Sequence, residues 1–348
     1  MEIDALSDVL RTVRLTGAIF FDVTARAPWV AEQPPRDMIM QRILPGAEHL
    51  IAYHAVTEGR CFANIIGGEP IAVEAGEVIV MTHGDPHVVS SSPGMRAPPA
   101  NRSVVEAIAG GQLPCFVTYG SEGPAAKLVC GFLACDARPF NPLLQSLPPV
   151  IKAGSPEIGD IGKLGQFARF VMTEAANRRA GSECVLAKLS ELMFIEVLRQ
   201  HLEGLPPGRA GWLAGLRDPF VGRSLSLMHG APAQNWTVEE LAKQVGLSRS
   251  VLAERFTSMV GFPPMQYLAQ WRMQIAWGLL VGGGVNIATV AVETGYGSEA
   301  AFSRAFKKMV GMPPVALRRR LGPAASRQRP ESVAGEAEDL ADMAAKLR

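Results

Sequence analysis

The chain has 348 residues, which is enough for about two domains. Its residues are 48% hydrophobic and 19% charged, as expected of a globular protein. No run of about 18 apolar residues occurs, so we expect no transmembrane helix. The five cysteines are too few and too scattered for a disulfide framework, and the acidic N-terminus predicts no secretory signal. A reducing cytoplasm fits these features best.

The net charge of +1 is unevenly distributed along the chain. Residues 217–320 contain 12 Lys and Arg against 6 Asp and Glu, whereas residues 1–216 contain 18 against 22. This asymmetry indicates that only the second part of the chain binds a polyanion such as a nucleic acid. Charge excesses of this size also occur on ordinary solvated surfaces, so the motifs must decide between the two interpretations.

Residues 1–150 contain short apolar runs that are broken by glycine and proline. The runs are LIAYHAVTEG, CFANIIGG, EPIAVEAGEVIVMTHGDPHVV and AKLVCGFLACD. Such runs predict the strands and turns of a β-sandwich or barrel. Residues 90–103 (SSSPGMRAPPANRS) are polar and rich in proline, and they predict a loop.

The apolar pattern changes to helical spacing near residue 161. Two amphipathic segments joined by RRAGSE predict an antiparallel helix pair over residues 161–204. The predicted apolar faces contain Leu164, Phe167, Phe170 and Val171 in the first helix and Leu186, Leu189, Met193 and Val197 in the second.

A linker and a tail flank the rest of the chain. EGLPPGRAGW contains the helix-breaking residues of a linker, which we place at 205–216. A helical region is predicted over 217–320. Residues 321–348 are rich in Pro, Ser and Ala and then in charge, and they predict a flexible tail. The first predicted domain is therefore 1–204.

A short phrase occurs twice near the C-terminus, as FTSMVGFPP at residues 256–264 and as FKKMVGMPP at residues 306–314. In each copy we expect the phenylalanine to anchor a helix in a small core. The glycine then ends the helix with a positive φ, and the two prolines prevent it from continuing. The repeat therefore marks the exits of two similar helical units.

The first copy follows a helix-turn-helix pattern at about 237–256. Thr237 and Glu240 predict a capping box, Gly246 ends the first helix, and Ser248 caps the second. The residues predicted to point inward on the second helix are Val251, Leu252 and Phe256.

A second pattern of the same kind, at about 287–306, precedes the second copy. Here Asn286 and Ser298 are the predicted caps, and Gly295 ends the first helix. The capping serines of the two patterns lie 50 residues apart but the turn glycines only 49, so the second turn has one extra residue, Gly297.

Between the two patterns, MQYLAQWRMQIAWGLLVGGG contains apolar residues at the spacing i, i+3, i+7 and i+11. The spacing predicts a connecting helix of about 15 residues, or about 23 Å. A helix of this length suits two units that bind adjacent major-groove segments on one side of B-DNA, about 34 Å apart. The apolar residues are Leu268, Trp271, Ile275 and Leu279.

The last hundred residues resemble the DNA-binding domain of AraC/XylS-type transcriptional regulators. This resemblance rests on TVEELAKQVGLSRSVLAERF, YLAQWRMQIAWGLL, IATVAVETGYGSEAAFSRAFKKMVGMPP and the closing RRR. The N-terminal part resembles the cupin-type sensor half of a subset of these regulators. The motifs there are DALSDVLRTVRLTG, APW, YHAVTEG, AGEVIVMTHGDPHVV and LVCGFLACDARPFNPLLQSLPPVI. Together the two resemblances cover nearly everything except the linker and the tail.

The resemblance implies an α+β protein, with an N-terminal cupin-like β-barrel and a helical pair followed by an all-α double helix-turn-helix DNA-binding domain. It implies a sequence-specific transcriptional regulator that binds double-stranded DNA and responds to a small-molecule effector or a stress signal. Such a protein is bacterial and cytoplasmic, and it is nucleoid-associated when bound. RNA polymerase is a further partner if the protein is an activator. No catalytic residue, metal or cofactor is expected.

The family also uses a helix pair for dimerisation, so residues 161–204 are a candidate homodimer segment. Packing of the pair against its own barrel is the alternative with equal weight. The candidate dimer contacts are Leu164, Phe167, Leu189 and Met193.

In a helix-turn-helix unit, the N-terminal end of the second helix enters the major groove. Arg reads guanine O6 and N7, so Arg249 and Arg304 are the predicted base readers. Glu254 stands where the family often has Arg, which predicts that the first unit binds more weakly or reads cytosine. Phosphate contacts are expected from Ser248, Ser298, Lys307, Lys308 and Arg318 to Arg320. The full set of predicted DNA-binding residues is Ser248, Arg249, Ser250, Glu254, Ser298, Glu299, Ala300, Ser303, Arg304, Lys307 and Lys308.

Residues 76–87 (GEVIVMTHGDPH) resemble the second cupin motif, in which a histidine binds metal. His87 occupies that place, and His54 lies in YHAVTEG, where the first motif supplies further ligands. Only one histidine stands there instead of an H-x-H pair, so a site with the usual three protein ligands is incomplete. We predict instead an effector pocket that includes His54, His83 and His87. The alternative is a cupin metalloenzyme with an auxiliary DNA-binding domain.

The cysteines offer a rival signal, because some regulators of this subset resemble thiol-based oxidant sensors. Cys130 and Cys135 are five residues apart, which on one strand places them on opposite faces and argues against a disulfide. Cys61 and Cys115 are the other candidates. A free cysteine is usually a small buried hydrophobe, so effector binding is the favoured interpretation.

Overall fold

The computed structural model describes residues 4–42, 44, 46–98, 115–155, 162–177, 179–206 and 208–321. Most of the predicted tail and residues 99–103 of the predicted loop lie outside these ranges. The chain forms two compact units. The first consists of Met1–Ala231 with Trp236–Gln270, and the second of Pro232–Asn235 with Trp271–Arg348. Within the described ranges, no helix has both the length and the apolar character needed to cross a membrane.

The first unit begins with helix α1 (Ala5–Thr12), whose first turn is capped by the side chain of Asp4. Two sheets follow, and they confirm the predicted strand-rich N-terminal part. The strands are β1 (Thr16–Arg26), β2 (Val30–Glu32), β3 (His49–Glu58), β4 (Arg60–Ile65), β5 (Ile71–Glu74), β6 (Glu77–Met81), β7 (His87–Ser90), β8 (Cys115–Tyr119), β9 (Ala125–Cys135) and β10 (Val150–Gly154). Two short helices, α2 (Arg36–Arg42) and α3 (Pro142–Ser146), lie between strands.

The strands form a six-stranded sheet in the order β10-β6-β3-β9-β1-β8 and a four-stranded sheet in the order β2-β7-β4-β5. Neighbouring strands are antiparallel except for β1 and β8, which are parallel. Apolar side chains from both sheets form one core, which includes Val23, Leu50, Val73, Ile79, Val89 and Leu128. The core therefore lies between the sheets.

Strands β3 and β6 of the six-stranded sheet are buried on both faces. Successive side chains of a strand point to opposite faces, and on β3 Ala52 faces the core between the sheets whereas Tyr53 faces a helix. The Tyr53 hydroxyl bonds Oγ of Ser190 at 2.7 Å. Burial on both faces explains why β3 and β6 are continuous apolar runs and not alternating ones.

The helix pair consists of α4 (Lys163–Asn177) and α5 (Ser182–Glu203). On α5 the predicted inner face is confirmed, since all four of its residues are buried. On α4 the prediction is wrong for Phe170, which is 50% exposed, and Phe167 is only half-buried. The buried stripe passes instead through Ala168 and Ala175, because small residues let the helix approach its neighbours closely.

Burial also bears on the predicted dimer contacts. Leu164, Leu189 and Met193 are buried within the chain itself. Side chains that are already covered are not available to a second subunit, so these three assignments are wrong. These three side chains pack within the chain, as the alternative prediction has it.

The first unit continues with α6 (Trp212–Arg217), α7 (Pro219–Gly230), α8 (Val238–Val245), α9 (Arg249–Val260) and the start of α10 (Pro264–Gly282). The capping box of Thr237 and Glu240 is confirmed, and so is the left-handed conformation of Gly246. Leu252 is buried, but Val251 is 47% exposed, contrary to the prediction. Adjacent helical residues differ by about 100° in direction, so Val251 cannot share the inner stripe. Helix α6 occupies part of the predicted linker.

The second unit contains the rest of α10, then α11 (Ile287–Glu293), α12 (Glu299–Val310) and α13 (Pro314–Leu321). The predicted caps Asn286 and Ser298 are confirmed. Helix α10 has 19 residues and not 15, and Ile275 and Leu279 of its predicted stripe are only half-buried. The core of this unit consists of Met273, Ala276, Leu280, Val290, Ala291, Phe302, Phe306 and Leu317.

Gly295 is required in the turn of the second unit for two reasons. Its φ of +76° is a conformation that favours glycine. A Cβ at this position would also lie 2.6 Å from the carbonyl oxygen of Ala233. Arg272 closes the other side, because its guanidinium donates to the carbonyls of Pro232 and Gln234 at 2.7 Å.

We expect Gly295→Ala to lower the unfolding free energy by about 1 kcal/mol or more, because alanine meets both the strained φ and the clash. The matched control is Gly297→Ala, where φ is not positive and no atom lies within 4 Å of the added Cβ. The control should change stability by less than about 0.5 kcal/mol. Thermal and denaturant unfolding of the full chain measure both, and equal effects of the two variants would contradict the argument.

Candidate DNA-reading surfaces and barrel cavity

The N-terminal ends of α9 and α12 are exposed. Ser248 accepts a hydrogen bond from the amide of Val251, and Ser298 accepts one from that of Ala301, so each helix begins at its serine. Of the predicted DNA-binding residues, only Ser303 is half-buried. The exposed ones are Ser248, Arg249, Ser250, Glu254, Ser298, Glu299, Ala300, Arg304, Lys307 and Lys308.

Each of these helices is fixed from its inner side. Phe256 and Phe306 are fully buried, as the repeated phrase predicts. Gly261 and Gly311 follow the last helical residue with φ of +86° and +85°. The exit of each helix is thus determined by its own residues, and the exposed end is oriented by the buried one.

One basic residue of α9 forms an ion pair within the protein, and the sequence pattern did not predict this pair. Arg255 donates to the carboxylate of Asp218 at 2.9 and 2.5 Å. Asp218 also caps α7 by accepting from the amides of Phe220 and Val221. The recognition helix of the first unit is therefore tied to the start of α7.

The predicted phosphate contact of Arg318 needs correction. Its guanidinium donates to the carbonyl of Val285, and the residue is half-buried. Arg319 and Arg320 are exposed. Arg318 stabilises the fold of the second unit, because it joins α13 to the segment that precedes α11.

The space between the two sheets contains a cavity of about 190 Å³. Its wall is mostly aliphatic and aromatic, and the ring of Trp29 stacks on that of Tyr119 with centroids 6.0 Å apart. The apolar wall includes Phe21, Val23, Ile39, Val117, Leu128 and Phe132.

Two of the three predicted pocket histidines lie in the wall of this cavity. Nε2 of His54 lies 2.7 Å from Nε2 of His87, and Nδ1 of His87 lies 2.9 Å from the carbonyl oxygen of Asp85. Burial lowers the pKa of His54 well below its usual value and that of His87 to about 4. Both imidazoles are therefore neutral at pH 7.

His83 does not line the cavity, contrary to the prediction. Its Nε2 lies 3.3 Å from the carbonyl oxygen of Leu147, and its ring meets the edge of His49. Residues 83 and 87 are separated by a turn, and His83 is only half-buried whereas His87 is buried.

The geometry of the histidine pair does not suit a shared metal ion. A zinc–nitrogen bond is about 2.0–2.1 Å long, so two nitrogens on one tetrahedral ion lie more than about 3 Å apart. The observed 2.7 Å is a hydrogen-bond distance. Among the residues that the structure describes, no group of three or more His, Cys, Asp or Glu side chains could hold a metal ion.

The cysteines of the barrel are poor candidates for redox chemistry. Burial raises the pKa of Cys61 and Cys135 to about 12 and that of Cys130 well above its usual value. The thiolate is the reactive form, and these thiols stay protonated at neutral pH. Burial also raises the pKa of Cys115. Cys184 is exposed.

A chain of buried hydrogen bonds links the N-terminal helix to the first helix-turn-helix unit. Nδ1 of His229 on α7 lies 2.7 Å from a carboxylate oxygen of Asp8 on α1. Nε2 of His229 lies 2.8 Å from the hydroxyl of Tyr267 on α10, which accepts from Nε1–H of Trp212 at 2.8 Å. With Asp8 ionised, His229 donates to it and accepts from Tyr267.

Aromatic contacts surround this chain. The ring of Phe140, which follows β9, meets the edges of Tyr267 and Phe262, with centroids 5.6 and 6.2 Å apart. Phe262 belongs to the first copy of the repeated phrase, and Met312 takes its place in the second. The barrel part thus contacts the exit of the first recognition helix at a position where the copies differ.

A barrel with an internal cavity, joined in one chain to two helix-turn-helix units with exposed recognition helices, defines a two-part DNA-binding protein. Residues 4–203 match the family described as Cupin, and residues 241–320 match the family described as helix-turn-helix domain. A Streptomyces lividans protein described as an AraC-like transcription regulator is 32% identical over 315 residues, which cover 89% of this chain and 96% of that protein. The chain belongs to the AraC-like transcription regulators, and the predicted resemblance and fold class are confirmed.

A further relative is described as an HTH-type transcriptional regulator. The HTH-type transcriptional regulator AlkR of Acinetobacter baylyi is 28% identical over 316 residues, covering 89% of this chain and 97% of AlkR. Among solved structures, the DNA-binding domain of AdpA in complex with a target DNA is 29% identical. That match covers 30% of this chain and 92% of the AdpA domain, with a TM-score of 0.28.

We expect Tyr267→Phe to lower the unfolding free energy by about 1–3 kcal/mol, because Nε1–H of buried Trp212 loses its acceptor. The control is Tyr296→Phe, since the half-buried Tyr296 hydroxyl makes no hydrogen bond to the described residues. Denaturant unfolding of the full chain measures both. If Tyr267→Phe is no more destabilising than the control, the chain of bonds does not hold the junction.

Proposed function

We propose that this transcription regulator reads DNA with the exposed N-terminal ends of α9 and α12. The observation that carries the proposal is the matched pair of capped, exposed helices, each with an arginine on its outer face. Arg249 and Arg304 are the proposed base readers, because a guanidinium can bond guanine O6 and N7 together. The other proposed contacts are Ser248, Ser250, Glu254, Ser298, Glu299, Ala300, Ser303, Lys307 and Lys308.

The two units are proposed to bind DNA unequally. Glu254 and Arg304 occupy corresponding positions, so the first unit presents an acid where the second presents a base. Ser258 and Lys308 differ in the same sense, and both are exposed. A carboxylate repels phosphate, so the second unit supplies more of the affinity.

The barrel cavity is the proposed effector site, with His54 and His87 as its polar residues. The protein is proposed to act in the cytoplasm on the bacterial nucleoid and to have no catalytic role, because its relatives are described as transcription regulators. RNA polymerase is a partner if the protein is an activator. A homodimer is also proposed, and the exposed Phe170, Val185 and Leu192 of the helix pair support it.

Genome-wide mapping of the DNA bound by the full chain tests the function. It gives the operator, and the purified chain should bind recovered sites more tightly than shuffled DNA by about a thousandfold. Failure to prefer any sequence would refute the proposal. Metal analysis of the same preparation tests the alternative of a cupin metalloenzyme, which requires a stoichiometric metal that is lost in His54→Ala and His87→Ala.

We expect Arg304→Ala to weaken binding to a mapped operator by about 1–3 kcal/mol and to relax the preference at one base pair. Binding to a panel of single-base operator variants measures both effects. The control is Arg223→Ala, which removes an exposed arginine outside the recognition helices. An equal loss on all sequences would make Arg304 a phosphate contact instead of a base reader.

The proposed inequality of the two units predicts opposite effects at one pair of positions. The slope of log K against log salt is negative, and Lys308→Ser should make it less negative by about 1, because one phosphate contact is lost. Ser258→Lys, at the corresponding position of the first helix-turn-helix unit, should make the slope more negative by about 1 if that helix also lies against DNA. Titrations at several salt concentrations measure the slopes, and an unchanged slope in Lys308→Ser would place this lysine away from the phosphates.

A further inference from the structure

The barrel cavity combines an apolar wall with two buried polar atoms that have no hydrogen-bond partner among the residues that the structure describes. These atoms are Nδ1 of His54 and Nε2 of Gln33, and both residues line the cavity in the described part of the chain. Buried polar atoms without a partner are costly and rare in folded proteins. Two of them at the wall of one cavity point to a ligand that supplies the missing partners.

The directions of the hydrogen bonds show what His54 needs. Nδ1–H of His87 donates to the carbonyl of Asp85, so Nε2 of His87 is an acceptor. Nε2–H of His54 must therefore donate to it. A neutral imidazole has only one N–H, so Nδ1 of His54 has a free lone pair. The missing partner is a hydrogen-bond donor.

Gln33 needs the opposite partner. Its Nε2 carries two N–H groups, so it lacks an acceptor. A hydroxyl is the smallest group that both donates and accepts. The rest of the wall is aliphatic or aromatic, which favours an apolar body for the remainder of the ligand.

The charge of the wall indicates a neutral ligand. Among the described residues that line the cavity, Glu32 is the one with a charge, and no lysine or arginine is present. Its carboxylate already accepts from the guanidinium of Arg96 at 2.8 and 2.9 Å. An anion in this cavity would have no counter-charge and would lose its hydration.

The volume of the cavity suits a ligand of about one ring. A closed apolar cavity of about 150 Å³ in a protein core holds benzene. The cavity here measures about 190 Å³, which leaves room for a ring and a small substituent. Its aromatic residues, with Trp29 stacked on Tyr119, suit an aromatic ring.

We propose that the barrel cavity binds a neutral, monocyclic phenol whose hydroxyl donates a hydrogen bond to Nδ1 of His54. The inference rests on the proposed role of this cavity as the effector site, and it adds the chemical class of the effector. A phenol is neutral at pH 7, since its pKa resembles the value of about 10 of a tyrosine side chain.

Calorimetric titration of the full chain with phenol and with toluene tests the proposal. Toluene has the same shape but no donor, so the ratio of the two dissociation constants reports on the hydroxyl. We expect His54→Phe to shift this ratio against phenol by at least about fivefold, because the acceptor is lost. His83→Phe is the matched control, since it makes the same change outside the cavity wall, and it should leave the ratio unchanged.

Further variants and a third ligand distinguish loss of the hydroxyl interaction from unfolding of a variant. Gln33→Leu should also shift the ratio against phenol, and Val117→Phe should weaken both ligands together because it fills the cavity. Benzoate should bind wild type at least about tenfold more weakly than phenol. The proposal is overturned if the ratio stays at the wild-type value in both His54→Phe and Gln33→Leu, or if benzoate binds as tightly as phenol.

Absence of binding by both ligands to wild type would also overturn the proposal. Operator binding by the same preparation then separates this result from a failure of the proposed function. A chain that binds its operator but neither ligand is a regulator with another effector. A chain that binds neither operator nor ligand contradicts both.

Discussion

The buried hydroxyl of Tyr267 is the group on which the arrangement of helices in the first compact unit depends. Tyr267 is fully buried, and a buried hydroxyl without partners would cost about 1–3 kcal/mol. Its bonds with Trp212 and His229 remove that cost only while α6, α7 and α10 keep their positions. Because Asp8 bonds the other nitrogen of His229, the same chain of bonds fixes the N-terminal helix. The first helix-turn-helix unit therefore forms one compact unit with the barrel.

The barrel cavity also has buried polar groups in its wall, and only some of their atoms have a hydrogen-bond partner among the described residues. His54 and His87 share one hydrogen bond, and Nδ1–H of His87 donates a second one to the carbonyl of Asp85. Nδ1 of His54 has no hydrogen-bond partner in the described part of the chain. Among the described residues, the hydroxyl of Tyr267 has hydrogen-bond partners, whereas two polar atoms at the cavity wall have none, which costs stability and fits the proposed effector site. Burial raises the pKa of the Cys130 thiol in the same wall, so the thiol stays protonated at neutral pH and is a poor candidate for redox chemistry.

The two helix-turn-helix units share their local design and differ in how they are supported. The first is tied to α7 by the pair of Arg255 and Asp218, and it contacts the barrel part through Phe262. The second is built around its own core. The charges that favour phosphate are concentrated on the second, at Lys307 and Lys308. The helix-turn-helix unit with the stronger proposed DNA contacts is thus the one that has its own core, and the helix-turn-helix unit packed on the barrel is the one with the weaker proposed contacts.

The sequence by itself determined the family, the strand-rich and helical parts, and the limits of the recognition helices. Caps such as Ser248 and Ser298 depend on residues within a few positions, so local patterns suffice to find them. Only the tertiary structure decided which apolar residues are covered, as the exposed Phe170 shows, because the neighbouring surface and not the helix period sets the buried stripe. Only the tertiary structure paired Asp8 with His229, which are 221 residues apart. Hydrogen bonds over such separations leave no periodic signal, since they depend on how the chain folds back on itself.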